Sequence, residues 1–241
     1  VSEIVVVGVG PGPWEMLTLE ARDILTSSKR VYFRYGTHPV FIRLKELGME
    51  VVAFELLYAD PNLTYLKAYE LMSRAIVREA QLRGRAVYAL PGNPYVFEKT
   101  PRFIAELAKP LGIAMRLVPG MSFLEQLYVA LRIDPEEGLT ILNASRMVER
   151  PESYPPNPRY ACLIGQVGLP FSAKPTAPAT NLAPLAGILN KAYPPHHPAT
   201  IVRCVGFPSY QLETRNITVA QISLQADFIN NLTSLFLPPV T

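Results

Sequence analysis

"EIVVVGVGPGPWEMLTLEARDIL", residues 3–25, decides how this chain is read. Residues 3–9 are rich in β-branched side chains, Ile4 to Val7 without a break, the pattern of a buried strand. Gly8, Gly10 and Gly12 follow, with Pro11 stiffening the bend. "LTLEARDIL" then spaces its apolar residues as a helix packed on a sheet requires. A strand, a glycine turn and a helix in this order make the loop a ligand-binding candidate. A P-loop needs a lysine behind its glycines, whereas Gly12 is followed by Pro13, Trp14 and Glu15. A dinucleotide loop uses G-x-G-x-x-G, whereas this one is G-x-G-x-G. Phosphate is therefore not the expected ligand; a different ligand and a purely structural turn both stay open.

Outward from this stretch, strands and helices alternate. "RVYFRY" (30–35), "EVVAFE" (50–55), "RAVYAL" (85–90) and the start of "AMRLVPGMSFLEQLYVAL" read as strands. "PVFIRLKELG" reads as a helix ending at Gly48, and "LLYADPN" as a loop. A long helix is expected from Leu63 to Arg83, with Leu66, Tyr69, Met72, Ile76 and Ala80 on its apolar side and Gly84 as its stop. Thr100 reads as an N-cap with Pro101 first in its helix, and Ser122 with Glu125 as a capping box. This alternation implies a parallel sheet with helices on both faces. After about residue 120 the links become proline-rich. "LTILNA" (139–144), "YACLIGQVG" (160–168) and "ATIVRCVGF" (199–207) read as strands, with a helix near Leu182–Lys191 and a final strand and helix within "ETRNITVAQISLQADF". The expectation is an α/β protein of two α/β domains, residues 1–118 with a parallel sheet and 119–241 with a mixed one.

The chain has 241 residues, 49% apolar and 18% charged, which suits a globular protein and not a disordered one. Its apolar runs stop well short of the roughly 20 residues of a membrane span, and its first residues lack a signal peptide's basic flank. A soluble cytoplasmic protein with no membrane partner is expected. The net charge of +3 is spread without a basic stripe, so nucleic acid is not an expected partner. Cys162 and Cys204 lie in apolar runs and read as buried small hydrophobes. His38, His196 and His197 make no ligand spacing, and no metal is expected.

Two further Gly/Pro turns follow buried strands: "LPGNPYVF" (90–97) and "VPGMSFLEQL" from Val118. Ligands of open α/β sheets bind outside the carboxyl ends of the strands. With few charged residues in these turns, main-chain groups would do most of the recognition, which favours a neutral or zwitterionic ligand. The ordered set G-x-G-P-G, L-T-x-x-A, P-G-x-P and P-G-x-S, with "PATIVRCVGFPSYQLETRNITVAQI" later, resembles the tetrapyrrole (corrin/porphyrin) methylase family over nearly the whole chain. Within that family, "VYFRYGTHPV", "FELLYADPNLTYLKAY" and "YALPGNPYVFEKT" resemble the methylase-like N-terminal domain of MazG-type proteins.

The resemblance implies an S-adenosyl-L-methionine-dependent methyltransferase, usually a homodimer, with its cofactor cleft between two α/β domains. It implies cofactor contacts at Gly92, Asn93, Pro94, Val96, Ser122, Phe123, Ile164, Gly165, Val205, Gly206 and Phe207. It places Gly10, Pro11 and Gly12 on the substrate side. Arg34 and His38, just past the second strand at the ligand edge of the sheet, read as substrate-side candidates or as ordinary surface residues, and Tyr58, Tyr65 and Tyr69, flanking a loop expected to face the substrate, as catalytic candidates. Tyr65 and Tyr69, four apart on one helix face, read first as two packed aromatics. The family's second turn usually reads Gly-Asp-Pro; here Asn93 stands in place of the Asp, keeping hydrogen-bonding capacity without charge. Similar peptide-backbone N-methyltransferases carry an arginine where Thr64 stands. The acceptor, a small molecule or a peptide, is not identified, and a non-catalytic ligand-binding regulatory domain is the alternative.

Overall fold

Side chains alternate along β1 (Glu3–Gly8), and this alternation organises the first half of the chain. In this computed structural model, which describes residues 2–60, 62–168, 181–204 and 211–240, Val5 and Val7 face one layer. They pack with Ala21 and Leu25 of α1 (Leu19–Ser27) and with Val40 and Leu44 of α2 (Pro39–Glu46). Ile4 and Val6 face the opposite layer. There they meet Ile76 and Ala80 of α4 (Tyr65–Arg83) and Ile104 of α5 (Thr100–Ala108). Both faces of the strand are covered, as its continuous apolar run requires.

With β2 (Arg30–Phe33), β3 (Glu50–Ala53), β4 (Arg85–Leu90) and β5 (Ala114–Val118), β1 forms a five-stranded sheet of order β3-β2-β4-β1-β5. Every pairing in it is parallel. Gly8 stands opposite Leu90, and Val7 opposite Val118. The loops after β1, β4 and β5 therefore leave the same edge of the sheet.

The chain divides into two compact units, the first running to Gln126 and the second starting at Leu127. The second holds β6 (Leu139–Asn143), β7 (Ala161–Gly165), β8 (Pro198–Cys204), β9 (Leu212–Thr218) and β10 (Thr233–Leu237), in the order β6-β7-β10-β8-β9. Only β6 and β7 pair in parallel, so the sheet is mixed. Its core joins Cys162 and Ile164 to Met147 of α7 (Ala144–Glu149) and to Leu185 and Leu189 of α8 (Ala183–Ala192).

Several local expectations need correction. "LLYADPN" is not all loop, because α3 (Glu55–Ala59) forms one helical turn within it. Leu66 is 53% exposed, and the buried side of α4 runs instead through Ala68, Met72, Ser73, Ile76 and Ala80. Thr100 is the first residue of α5, Lys99 its N-cap and Pro101 its second residue. β7 stops at Gly165, because Gln166 takes a positive φ of 60°. After β9 comes a 3-10 segment, Val219–Leu224, in place of the expected helix.

Candidate functional site

The three glycine turns meet backbone to backbone. The Gly92 N–H donates to the Gly10 carbonyl at 2.8 Å, and the Gly10 N–H returns a bond to the Gly92 carbonyl at 3.3 Å. Both residues sit in the left-handed region, at φ 75° and 73°, where glycine is the favoured residue. A Cβ on Gly8 would lie 2.5 Å from the Gly92 oxygen and 2.6 Å from the Gly120 nitrogen; one on Gly120 would lie 2.5 Å from the oxygens of both Gly8 and Gly92. No side chain fits at either position. Asn93 fastens the second turn to the third: its Nδ2 donates to the Gly120 carbonyl at 3.1 Å, while its Oδ1 accepts from the Tyr95 N–H at 3.0 Å. Val96 turns back to the Asn93 carbonyl, and Pro94 is buried under the loop.

Gly92 differs from its neighbours. Among the described residues the direction of its absent Cβ meets only the Ser122 Cα, at 3.9 Å. Among these residues Gly92 thus has space on its Cα side, while packing consumes that of Gly8 and Gly120. Ser122 opens α6 (Phe123–Leu131). Its hydroxyl and N–H both donate to the Glu125 carboxylate, at 2.6 and 2.7 Å, and the hydroxyl accepts from the Leu124 N–H. Glu125 thus supplies its half of the expected capping box, while the Ser122 hydroxyl caps Leu124 in place of Glu125, and the Ser122 side chain is committed internally. Phe123 stands edge-on to Phe97, with centroids 5.3 Å apart.

The same edge of the sheet carries a second cluster. Arg34, just past β2, is 7% exposed and ion-paired with Glu98, itself 9% exposed. The second carboxylate oxygen of Glu98 accepts from the Lys99 and Thr100 N–H groups and from the Thr100 hydroxyl, all within 2.9 Å. Burial of two opposite charges is tolerated when they pair and their remaining hydrogen-bonding capacity is filled. Above them the Arg34 guanidinium lies 4.7 Å from the Tyr69 ring centre and 5.7 Å from that of Tyr35. Tyr65 stacks on Tyr69 at 6.3 Å. Burial, then the neighbouring Tyr69 and Tyr35, pushes the Tyr65 phenol above its ordinary pKa, so it carries its proton at neutral pH. Sequence reading missed Glu98: its partner lies 64 residues away, and only its place just before a Thr-Pro helix start hinted at a role.

The remaining sequence candidates fall in different places. His38 is fully buried; its Nδ1 accepts from the Val40 N–H at 3.2 Å and its Nε2 donates to the Gly10 carbonyl at 3.2 Å. Pro11 and Gly12 continue the bend after Gly10. Tyr58 lies on α3, its side chain outside the described residues. In the second unit Ile164 and Gly165 end β7 and are buried. Val205, Gly206 and Phe207 lie outside the described residues. Both cysteines are buried and form no disulfide; burial pushes the Cys162 thiol up to about 12. Among the described residues no group of three or more His, Cys, Asp or Glu is placed to hold a metal ion, and no helix is long and apolar enough to cross a membrane.

With this geometry in place, comparison with known proteins gives one family. The family model described as Tetrapyrrole (Corrin/Porphyrin) Methylases matches residues 3–220. The uncharacterized protein YabN of Bacillus subtilis is 28% identical over 99% of this chain and 45% of its own length. A methyltransferase/ribosomally synthesized cyclic peptide omphalotin A precursor from Omphalotus olearius is 24% identical over 99% of the chain and 58% of its own length. The chain thus spans about half the length of these curated relatives. Uroporphyrin-III C-methyltransferase from Thermus thermophilus shares the fold, with a TM-score of 0.69, 19% identity and coverage of 98% and 92% of the two chains. A structure of that enzyme complexed with S-adenyl homocysteine superposes with a TM-score of 0.64 at 17% identity, again covering 98% and 92%.

Proposed function

This chain belongs to the tetrapyrrole (corrin/porphyrin) methylase family, and we propose that it is a methyltransferase whose S-adenosylmethionine donor is held on the glycine turns of the first unit. The observation that carries the reading is the three-turn junction: Gly8 and Gly120 lock together, Asn93 fastens them, and among the described residues Gly92 keeps space beside Ser122. Gly92, Asn93, Pro94 and Val96 would hold the donor through carbonyl oxygens and close packing, and Ser122 and Phe123 through packing at the start of α6, since the Ser122 hydroxyl and N–H are already engaged by Glu125. The assignment of Ile164, Gly165, Val205, Gly206 and Phe207 to the donor rests on the family pattern. When bound, the sulfonium donor supplies an activated methyl group. The protein's part is then alignment, and a rigid near-attack geometry can remove roughly 7–11 kcal/mol of the barrier.

The acceptor side is proposed to be the edge carrying Gly10, Pro11, Gly12, Arg34, Tyr58, Tyr65 and Tyr69. The protonated Tyr65 phenol would donate a hydrogen bond to the acceptor, and Arg34 would fix the Tyr69 ring beneath it. One observation favours a peptide or amide acceptor as a second reading: Arg34 reaches the tyrosines from β2, supplying the arginine that Thr64 does not. The omphalotin precursor's likeness points the same way. The three stretches that resemble MazG-type N-terminal domains support a place within a longer protein, in which a donor-sensing regulatory role is the alternative. A homodimer is also proposed, from the family habit, and light scattering tests it.

Calorimetry with S-adenosylhomocysteine tests the donor site. Saturable heat below millimolar ligand is expected, and no heat at that concentration removes the reading. Transfer of labelled methyl to uroporphyrinogen III or to a peptide pool then separates the acceptor classes. Tight donor binding with no methylated product from a whole-cell extract would favour the regulatory role.

A further inference from the structure

We infer that His38 is a positioning residue for the donor loops: its imidazole joins the start of α2 to the Gly10 carbonyl and thereby sets where the Gly92 turn stands. The inference rests on the reading that the donor binds at Gly92. The Val40 N–H points at Nδ1, so that nitrogen carries no proton and Nε2 must carry it. That proton is directed at the Gly10 oxygen. The same oxygen receives the Gly92 N–H at 2.8 Å, so His38 and Gly92 share one carbonyl and fill both of its lone pairs. A peptide with Gly10 at φ 75° has no side chain to limit its rotation, and these two donors hold it. Histidine is also an unusual choice for an N-cap, where Ser, Thr, Asp and Asn prevail. An imidazole does what those short side chains cannot: it caps α2 with one nitrogen and reaches the glycine turn with the other.

Two substitutions separate the two duties. His38→Asn keeps an acceptor at the place of Nδ1 and so keeps the cap, but has no donor that reaches Gly10. His38→Gln places an amide N–H near the position of Nε2 and keeps the brace, but caps poorly. Hydrogen exchange of the Gly92 amide reads the link without any ligand, and S-adenosylhomocysteine calorimetry reads its consequence. The Asn variant is expected to exchange the Gly92 amide faster and bind S-adenosylhomocysteine more weakly, each by about three- to tenfold, the worth of one hydrogen bond. The Gln variant should melt lower yet keep wild-type affinity and Gly92 protection. Unchanged Gly92 exchange in the Asn variant overturns the link, as does affinity that merely follows stability in both variants. Wild-type protein that takes up no S-adenosylhomocysteine overturns the donor reading instead, while the exchange comparison still decides whether His38 governs Gly92.

Discussion

At the scale of single residues, Asn93 stands where the family usually has an aspartate, and the difference has a physical sense here. Its Oδ1 closes a turn with Tyr95 and its Nδ2 donates to Gly120. Asn93→Asp keeps the first bond and replaces the second by a carboxylate oxygen facing a carbonyl. Loss of about 1–3 kcal/mol in urea unfolding is expected, with weaker S-adenosylhomocysteine binding in calorimetry. Glu98→Gln is more severe, because it leaves the Arg34 charge buried opposite a neutral amide. About 3–5 kcal/mol should be lost, and adding Arg34→Met should recover part of it. His38 makes a pH prediction. Burial, opposed by the Gly10 carbonyl, holds its folded pKa at about 4, below its ordinary 6.5. Between those values the unfolded chain binds a proton that the folded chain does not, so the stabilisation is complete above pH 6.5 and fades as pH falls toward 4. The loss reaches about 3 kcal/mol once the pH is below 4 and about 2 kcal/mol between pH 7 and 4.5, so in urea unfolding the stability advantage of wild type over His38→Gln should shrink by about 2 kcal/mol across that range.

At the scale of elements, the junction of turns stands or falls with Gly120. A methyl there would press on two backbone oxygens at 2.5 Å, so Gly120→Ala should cost about 1–3 kcal/mol by overpacking and also weaken donor binding. Gly48→Ala is the control: its φ is 77° with nothing within 4 Å of the added carbon, so it should cost about 1–2 kcal/mol of backbone strain and leave donor affinity alone. The parallel half was legible because β1, β4 and β5 are short runs closed by glycine or proline, and register then brings their loops to one edge. The single turn of α3 was not, since one helical turn carries almost no local signal. Nor was β10, whose partners β7 and β8 lie far back in the chain and pair antiparallel. The glycine turns of the candidate site announced themselves by residue type. The Arg34–Glu98 pair did not, because a contact across 64 residues has no local pattern.

For the whole molecule, the division at Gln126 and Leu127 gives donor binding a thermodynamic signature. Each unit has its own sheet and its own buried clusters, so each carries its own share of the unfolding enthalpy. A ligand that binds only the folded form stabilises by RT ln(1 + [L]/Kd), about 2.7 kcal/mol at a hundredfold excess over Kd. For a protein of this size each kcal/mol moves the midpoint by roughly 2–4 °C. If the donor is held on the turns of Gly10, Gly92 and Ser122, S-adenosylhomocysteine must raise the melting of the first unit, by at least about 5 °C at that excess. Scanning calorimetry with and without the ligand checks this, with tyrosine ring signals from Tyr65 and Tyr69 reporting the first unit and Tyr193 the second. A shift confined to Tyr193 would place the ligand on the second unit and remove the glycine turns from the account. Equal shifts in all three would mean that the two units unfold together.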